Sequence, residues 1–300
     1  MTQLPFITAD QIRASVTFQQ AVEALEAELR SGLDLDAQPP RQSAPISNGE
    51  WLLMPSQIGD AVGIKVLTVA WHNPARGLAR IQGLYLLFDS DTLTPIAVLD
   101  GTSLTEVRTP AVSVAATRAF LGESPEVLVF GAGPQALGHV RAFSEVVGIG
   151  KVTHVALNGG PENIPVLLPD DPAVPGLVAS ADLILCNTTA REPLFDSSPV
   201  KDSAVVVAMG SHEPAARELD SALLARSTVI AEHIGTALRE AGDIIIPVNE
   251  GALDPAQLVE WSAVARGEVT VPRDRPIVFK STGLAWEDLV TANLAFKAAI

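Results

Sequence analysis

The sequence predicts an α/β protein, a parallel sheet wound with helices in the second half of the chain, preceded by a smaller α+β portion. Two observations carry that reading. Between Val127 and Ala142 a run of strand formers, Val127-Leu128-Val129-Phe130, breaks at Gly131-Ala132-Gly133 and restarts as a helix with Pro134 at its first position. Beyond it, strand-like runs at Val152 to Leu157, Asp182 to Asn187, Ala204 to Met209 and Thr228 to Ala231 alternate with helical or loop segments, the pattern of parallel strands joined by crossovers.

Taken in order, Thr8 caps a helix over ADQIRASV, and Thr17 caps a second over FQQAVEALEAELR, where Val22, Leu25 and Leu29 recur at helical spacing and Gly32 ends the run. From Gln38 the texture changes to short β-rich runs, RQSAPI, WLLMP and AVGIKVLTVAW. Gly83 to Asp100 reads as a hairpin turning at Ser90-Asp91-Thr92, with Pro95 ending a strand. This is expected to be antiparallel sheet. A helix from about Thr102 to Gly122 leads into the parallel half. The segment 159–179, rich in proline and aspartate, reads as a loop in place of an ordinary crossover helix. The chain closes with a strand, IVFKS, and a helix, AWEDLVTANLAFKAAI, whose Leu289, Leu294 and Phe296 look back toward the first domain. The domains are therefore drawn as 1–115 with 285–300, and 116–284.

Composition bounds the partners. The 300 residues suffice for two domains, and a formal net charge of −15 argues against nucleic acid or an anionic membrane as partner. The one cysteine, Cys186, lies in an apolar run and reads as a buried structural thiol, suited to a reducing cytoplasm. The N-terminal stretch lacks the blocks of a signal peptide, and no apolar run has membrane-spanning length. A soluble, cytoplasmic protein is expected.

The turn at Gly131 has the G-x-G-x-x-A pattern of a dinucleotide site. The first glycine permits the turn, Gly133 lets a pyrophosphate approach the backbone, and the small Ala136 lets helix and strand pack closely. With Ala132, Pro134 and Gln135 these residues form a helix N-terminus that offers N–H groups and a partial positive charge. The fold class is accordingly a Rossmann-type doubly wound parallel sheet plus an α+β domain. Asn158-Gly159-Gly160 stands where an acidic residue would bind the ribose of NAD, and no arginine follows to hold a 2′-phosphate, so the cofactor is NAD or NADP. Thr188 and Thr189 follow a strand end and face the crevice; Met209, Gly210, Lys280 and Ser281 are candidates for the nicotinamide side.

Three cations stand out in the β-rich half. Lys65 alternates with Gly63 and Leu67 on one face, where its charge needs a partner; otherwise it is an edge-strand lysine reaching to solvent. Arg108 opens R-T-P on a helix, either as a ligand group or in a salt bridge to Glu106 or another carboxylate. Arg41 is unremarkable alone. No histidine and acid set has metal-ligand spacing, so no metal is expected.

The order Arg41, Met54-Pro55, Gly63-Ile64-Lys65, Asn73, Gly77-Leu78, Gln82-Gly83, Asp100-Gly101, Leu104-Thr105, Arg108-Thr109 and Gly131-Ala132-Gly133 resembles the ornithine cyclodeaminase/mu-crystallin family. It continues through Gly210, Pro214, Arg217-Glu218-Leu219-Asp220, Gly242-Asp243 and Phe279-Lys280-Ser281. The resemblance implies a homodimer whose first domain supplies subunit contacts and the substrate site, and a Rossmann domain holding NAD(H) or NADP(H). It carries the binding of an amino- or imino-acid carboxylate over to Arg41, Lys65 and Arg108, with Met54 beside them. A planar arginine fork takes a carboxylate bidentately, which agrees with that assignment.

Two departures from the cyclodeaminase pattern matter. Its acid just before the Met-Pro pair is replaced by Trp51-Leu52-Leu53, and its aspartate after a strand-closing glycine by His212 in Met209-Gly210-Ser211-His212-Glu213-Pro214. Imine reduction asks for neither acid. It needs a held carboxylate, a hydride and a proton donor, for which His212 is the candidate and Lys65 the rival; otherwise His212 caps a helix opened by Pro214. The expected function is an NAD(P)H-dependent reductase of small imino acids such as Δ1-pyrroline-2-carboxylate, or a related amino-acid dehydrogenase. The alternatives are an ammonia-releasing cyclodeaminase and a non-catalytic NADPH-dependent binding protein.

Overall fold

The computed structural model describes residues 4–299, so Met1 to Gln3 and Ile300 lie outside the described residues. The chain divides into two compact units, one formed by residues up to Val112 together with those from Gly283 on, the other by Ser113–Thr282.

The first unit is a six-stranded sheet with helices on one face. Its elements are β1 (Phe6–Ile7), α1 (Ala9–Ser15), α2 (Phe18–Arg30), β2 (Gln42–Ile46), β3 (Gly49–Ile58), β4 (Ala61–Ala70), β5 (Ile81–Asp89), β6 (Pro95–Asp100), the part of α3 (Gly101–Thr117) up to Val112, and the last helix of the chain; α3 from Ser113 on belongs to the second unit. The strand order is β1-β6-β5-β4-β3-β2, antiparallel from β2 to β6, with β1 added parallel to β6. Thr8 and Thr17 each form a capping box, with Gln11 and Gln20, which satisfies helix-end N–H groups reciprocally. Gly32, at φ +93°, follows α2 in the left-handed region. Pro95 opens β6 where the sequence reading had it end a strand; the first residue of a strand is a place where a missing N–H costs no ladder bond. The helix expected over 102–122 stops at Thr117 and gives way to a short 3-10 turn, Arg118–Phe120.

Alternation in β3 and β4 fixes which side chains face inward. Leu52, Met54, Leu67 and Val69 form a small core with Ala285. The opposite face is also apolar: Leu53 pairs across to Val66 and on to Leu84, and Pro55 to Ile64, Leu86 and Val98.

The second unit contains β7 (Val127–Phe130), α4 (Pro134–Val146), β8 (Val152–Val155), α5 (Val174–Ser180), β9 (Leu183–Cys186), β10 (Val205–Ala208), α6 (Ser221–Arg226), β11 (Thr228–Ala231), α7 (Ile234–Glu240), α8 (Gly242–Asn249), β12 (Val259–Glu260), α9 (Trp261–Ala265) and β13 (Ile277–Lys280). All seven strands are parallel, in the order β12-β11-β13-β10-β9-β7-β8. Strands β7, β9 and β10 are buried along their whole length, which is why they read as unbroken apolar runs; β13 is equally buried but ends on Lys280. The chain leaves β7 toward β8 and returns on the other side as β9, so the turn after β7 stands at the switch point of the sheet. The 159–179 segment ends in a seven-residue helix, α5, because Pro175 falls in its first turn, where a helix tolerates proline. No helix among the described residues is long and apolar enough to cross a membrane.

The last helix, α10 (Ala285–Ala299), packs on α1, α2, β3 and β4 of the first unit. Leu289 is fully buried there, and Leu289→Ala should cost about 2–4 kcal/mol, read as a lower urea midpoint at unchanged slope.

Candidate active site

In the first unit, strand register builds a row across the sheet. Met54 pairs with Lys65, Lys65 with Tyr85, and Tyr85 with Leu99, all inward and all buried. Lys65 is therefore on a central strand and not an edge. Its Nζ lies 2.7 Å from Asp288 Oδ2 and 2.8 Å from Oδ1, with the Thr105 hydroxyl at 3.4 Å. Arg108, on α3, reaches the same place. Its Nε is 3.2 Å from Asp288 Oδ1 and its Nη1 is 3.1 Å from Glu287 Oε2. Gly283, at φ +82°, makes room for that guanidinium, since a Cβ there would stand 2.8 Å from Nη2. Glu106, the partner considered from sequence, instead lies 3.8 Å from Arg13. Arg41 is half-buried one residue before β2, whose first pair is Gln42 with Leu53, next to the Met54 end of the row.

Burial pulls the Lys65 ammonium down to a pKa of about 8, the Arg108 charge adding to that shift and Asp288 opposing it. The Tyr85 ring fills the space where a Cβ on Gly63 would be, and its buried hydroxyl has no hydrogen-bond partner among the described residues. Burial pushes that phenol well above its usual range, and Asp288 adds to the effect.

In the second unit, Gly131 sits at φ +120°, and a Cβ there would approach Asn187 O to 2.7 Å. Gly133 is the N-cap of α4 with no side chain capping it, and nothing lies within 4 Å of where its Cβ would be. Two amide oxygens near this turn, Gln135 Oε1 and Asn187 Oδ1, are buried without a hydrogen-bond partner among the described residues. An uncapped helix start and open space over the second glycine fit a dinucleotide pyrophosphate. His139 supports the turn from beneath. Its Nδ1 lies 2.7 Å from Gln135 O and its Nε2 2.8 Å from Ser113 Oγ, and burial lowers its pKa to about 4, so the ring is neutral.

The Asn158 corner folds onto the turn. Asn158 Oδ1 accepts from Gly160 N–H at 3.0 Å, and Gly160, at φ +63°, presses so closely on Ala132 O that a Cβ would meet it at 1.8 Å. Thr188 and Gly210 are both bonded to Glu218, while Thr189 and His212 are exposed and Met209 is half-buried. Lys280 turns inward to Asp243 at 2.9 Å and to Ser211 O at 2.6 Å, and the Ser281 hydroxyl donates to Glu232. No helix begins at Pro214; the chain there makes a turn, and α6 starts seven residues later, capped by Asp220. Cys186 is buried, its thiol pushed well above the usual range by burial. No group of three or more metal-ligating side chains occurs among the described residues.

Sequence reasoning missed Glu287, Asp288 and Tyr85, and named Glu218 within a motif without giving it a role. The available signal for the α10 pair was two adjacent acids in a largely apolar helix that had to pack inward.

The switch-point glycine turn and the parallel sheet define the class, a two-unit α/β protein with a dinucleotide-type second unit. The chain belongs to the ornithine cyclodeaminase/mu-crystallin family, matching it over residues 4–163 and 172–299. It is 30% identical to a Δ1-pyrroline-2-carboxylate reductase of Bacillus cereus, covering 98% of this chain and 96% of that one. It is 32% identical to the ketimine reductase mu-crystallin of Mus musculus, covering 96% and 93%. Among solved structures it resembles the Thermococcus litoralis Δ1-pyrroline-2-carboxylate reductase in complex with NADH and L-proline, with TM-score 0.89 and 28% identity over 99% and 97% of the two chains.

Asp288→Asn leaves two buried cations short of a counter-charge and should cost about 3–5 kcal/mol at pH 7 by urea unfolding. Loss of Asp288 drops Lys65 further below its present value of about 8. Between that point and the free-lysine value of about 10.4, the unfolded variant binds more protons than the folded one, so the variant's stability should rise with pH across that window.

Proposed function

We propose that this protein is an NAD(P)H-dependent reductase of small imino acids, converting a ketimine acid such as Δ1-pyrroline-2-carboxylate to the cyclic amino acid. The observation that carries the reading is the buried Lys65 and Arg108 pair in a unit whose partner unit ends its first parallel strand in an uncapped glycine turn.

In this reading Arg41, Lys65 and Arg108 bind the substrate carboxylate. Lys65 and Arg108 are fixed in advance by Asp288 and Glu287, so little rotamer freedom remains to be lost on binding. Met54 and the neighbouring Leu52 give the pocket an apolar wall that suits a ring methylene. Leu52 also lines the inner face just before Met54, where a cyclodeaminase would need an acid for the substrate amine, which favours reduction over deamination. The N–H groups of Gly133, Gln135 and Ala136 would hold the cofactor at its pyrophosphate, and when bound and reduced it would supply the hydride to the imine carbon. The imine nitrogen takes a proton, for which His212 and Lys65 are the two candidate donors.

The assay follows NADH and NADPH absorbance with a panel of cyclic and linear imino acids, alongside ammonia release from ornithine. Imino-acid-dependent cofactor oxidation is expected; ammonia without net cofactor consumption would overturn the reading. As Lys65 loses its proton, kcat/KM should fall above about pH 8, and Lys65→Met should lose about 100-fold or more at pH 7. Unchanged kcat in a His212→Ala variant would exclude His212 as the proton donor and leave Lys65.

We further propose a homodimer formed through the outer face of the first unit's sheet. Leu53, Val66, Ile64, Leu86 and Val98 make a continuous apolar surface there, with Leu84 and Trp51 exposed beside it. Ile64→Glu should convert the species seen by light scattering from dimer to monomer.

A further inference from the structure

One buried acid in the second unit has no role in imine reduction itself. Glu218 is fully buried. Its Oε1 accepts from the Thr188 N–H and the Thr188 hydroxyl, each at 2.8 Å, and its Oε2 accepts from the Gly210 N–H at 2.7 Å. Thr188 lies just beyond β9 and Gly210 just beyond β10, which are neighbours in the sheet. A single carboxylate thus ties together the loops at two adjacent strand ends. The loops are close enough that a Cβ on Gly210 would lie 2.0 Å from Thr188 O and 2.5 Å from Glu218 Oε1, so this arrangement admits only glycine at 210.

The clamp is itself held. Asp243 accepts from the Glu218 N–H at 2.7 Å and the Leu219 N–H at 3.0 Å, and pairs with Lys280, whose ammonium also donates to Ser211 O. Three buried charged groups therefore fix the ends of β9, β10 and β13 relative to one another. Such a cluster is costly to desolvate, and burial together with Asp243 raises the Glu218 pKa while Lys280 opposes the rise. Tying two loops needs no charge in general, so the place of this cluster matters. The carboxyl ends of strands beside the switch point are where an open α/β sheet takes its ligand, and β9 and β10 lie on the side away from the adenosine corner at β8.

We propose that Glu218 is a positioning residue for the nicotinamide end of the cofactor: its carboxylate locks the Thr188 and Gly210 loops into one preformed surface, from which the His212 loop is carried. The inference rests on the reductase reading above. A surface ordered before binding removes an ordering cost that the cofactor would otherwise meet.

The test compares wild type, Glu218→Gln and Thr188→Val. Fluorescence titration gives the Kd of whichever of NADH and NADPH the wild type takes, and thermal unfolding and KM for each substrate are measured alongside. Glutamine keeps one acceptor but turns an NH2 group toward an N–H donor, so Kd for the cofactor should rise about tenfold, with KM for the imino acid within about twofold. Thr188→Val keeps both N–H bonds to Glu218 but removes the hydroxyl that donates to Glu218 and accepts from the Ala190 N–H, and should raise Kd about threefold. A folded Glu218→Gln variant with lowered Tm but wild-type cofactor affinity overturns the proposal. Where that variant does not fold, an unchanged Kd in Thr188→Val overturns it equally. Wild-type protein that binds neither cofactor overturns the reductase reading itself, an outcome separate from the other two.

Discussion

The buried contact of Lys65 and Arg108 with Asp288 and Glu287 constrains the rest of the first unit. A lysine at 1% exposure on a central strand is tolerable only with a counter-charge in reach, and the counter-charges come from a helix more than 200 residues further along the chain. The chain must therefore complete its second unit and return before the first unit's sheet is covered. Gly283 and the first turn of α10 are placed by that demand, since the guanidinium occupies the space a side chain at 283 would take.

The same ion pairs set the chemistry. Cations facing only water would need ordering when a carboxylate arrives, whereas Lys65 and Arg108 are already fixed by α10. Their partners also temper them. Burial and Arg108 bring Lys65 to a pKa of about 8, close enough to neutrality for its charge to be gained and lost within the working range of an enzyme. Tyr85, across from it, has a buried hydroxyl with no hydrogen-bond partner among the described residues.

The second unit uses a different device. Its glycine turn leaves backbone N–H groups free at the start of α4, and neutral His139 supports that turn without adding charge. Further along the sheet Glu218, Asp243 and Lys280 hold strand ends together. Lys280 is thereby committed to Asp243 and Ser211, which gives the Phe279-Lys280-Ser281 stretch a physical reason in the fold.

By itself the sequence determined what is local. The strand, glycine turn and helix at 127–146, the capped helices at Thr8 and Thr17, the hairpin and the alternation that turned Lys65 inward all follow from propensity and period within a few residues. It also determined the family, through the order of many short motifs. Only the tertiary structure decided strand order, with β13 inserted between β10 and β11, because parallel pairing joins segments with no contact along the chain. It likewise decided the partners of the buried charges. Asp288 reads along the chain as an acid favouring a helix N-terminus, and Glu218 as one residue of the Arg217-Glu218-Leu219-Asp220 motif; each becomes a ligand for distant groups only when folding removes the water that would otherwise satisfy them.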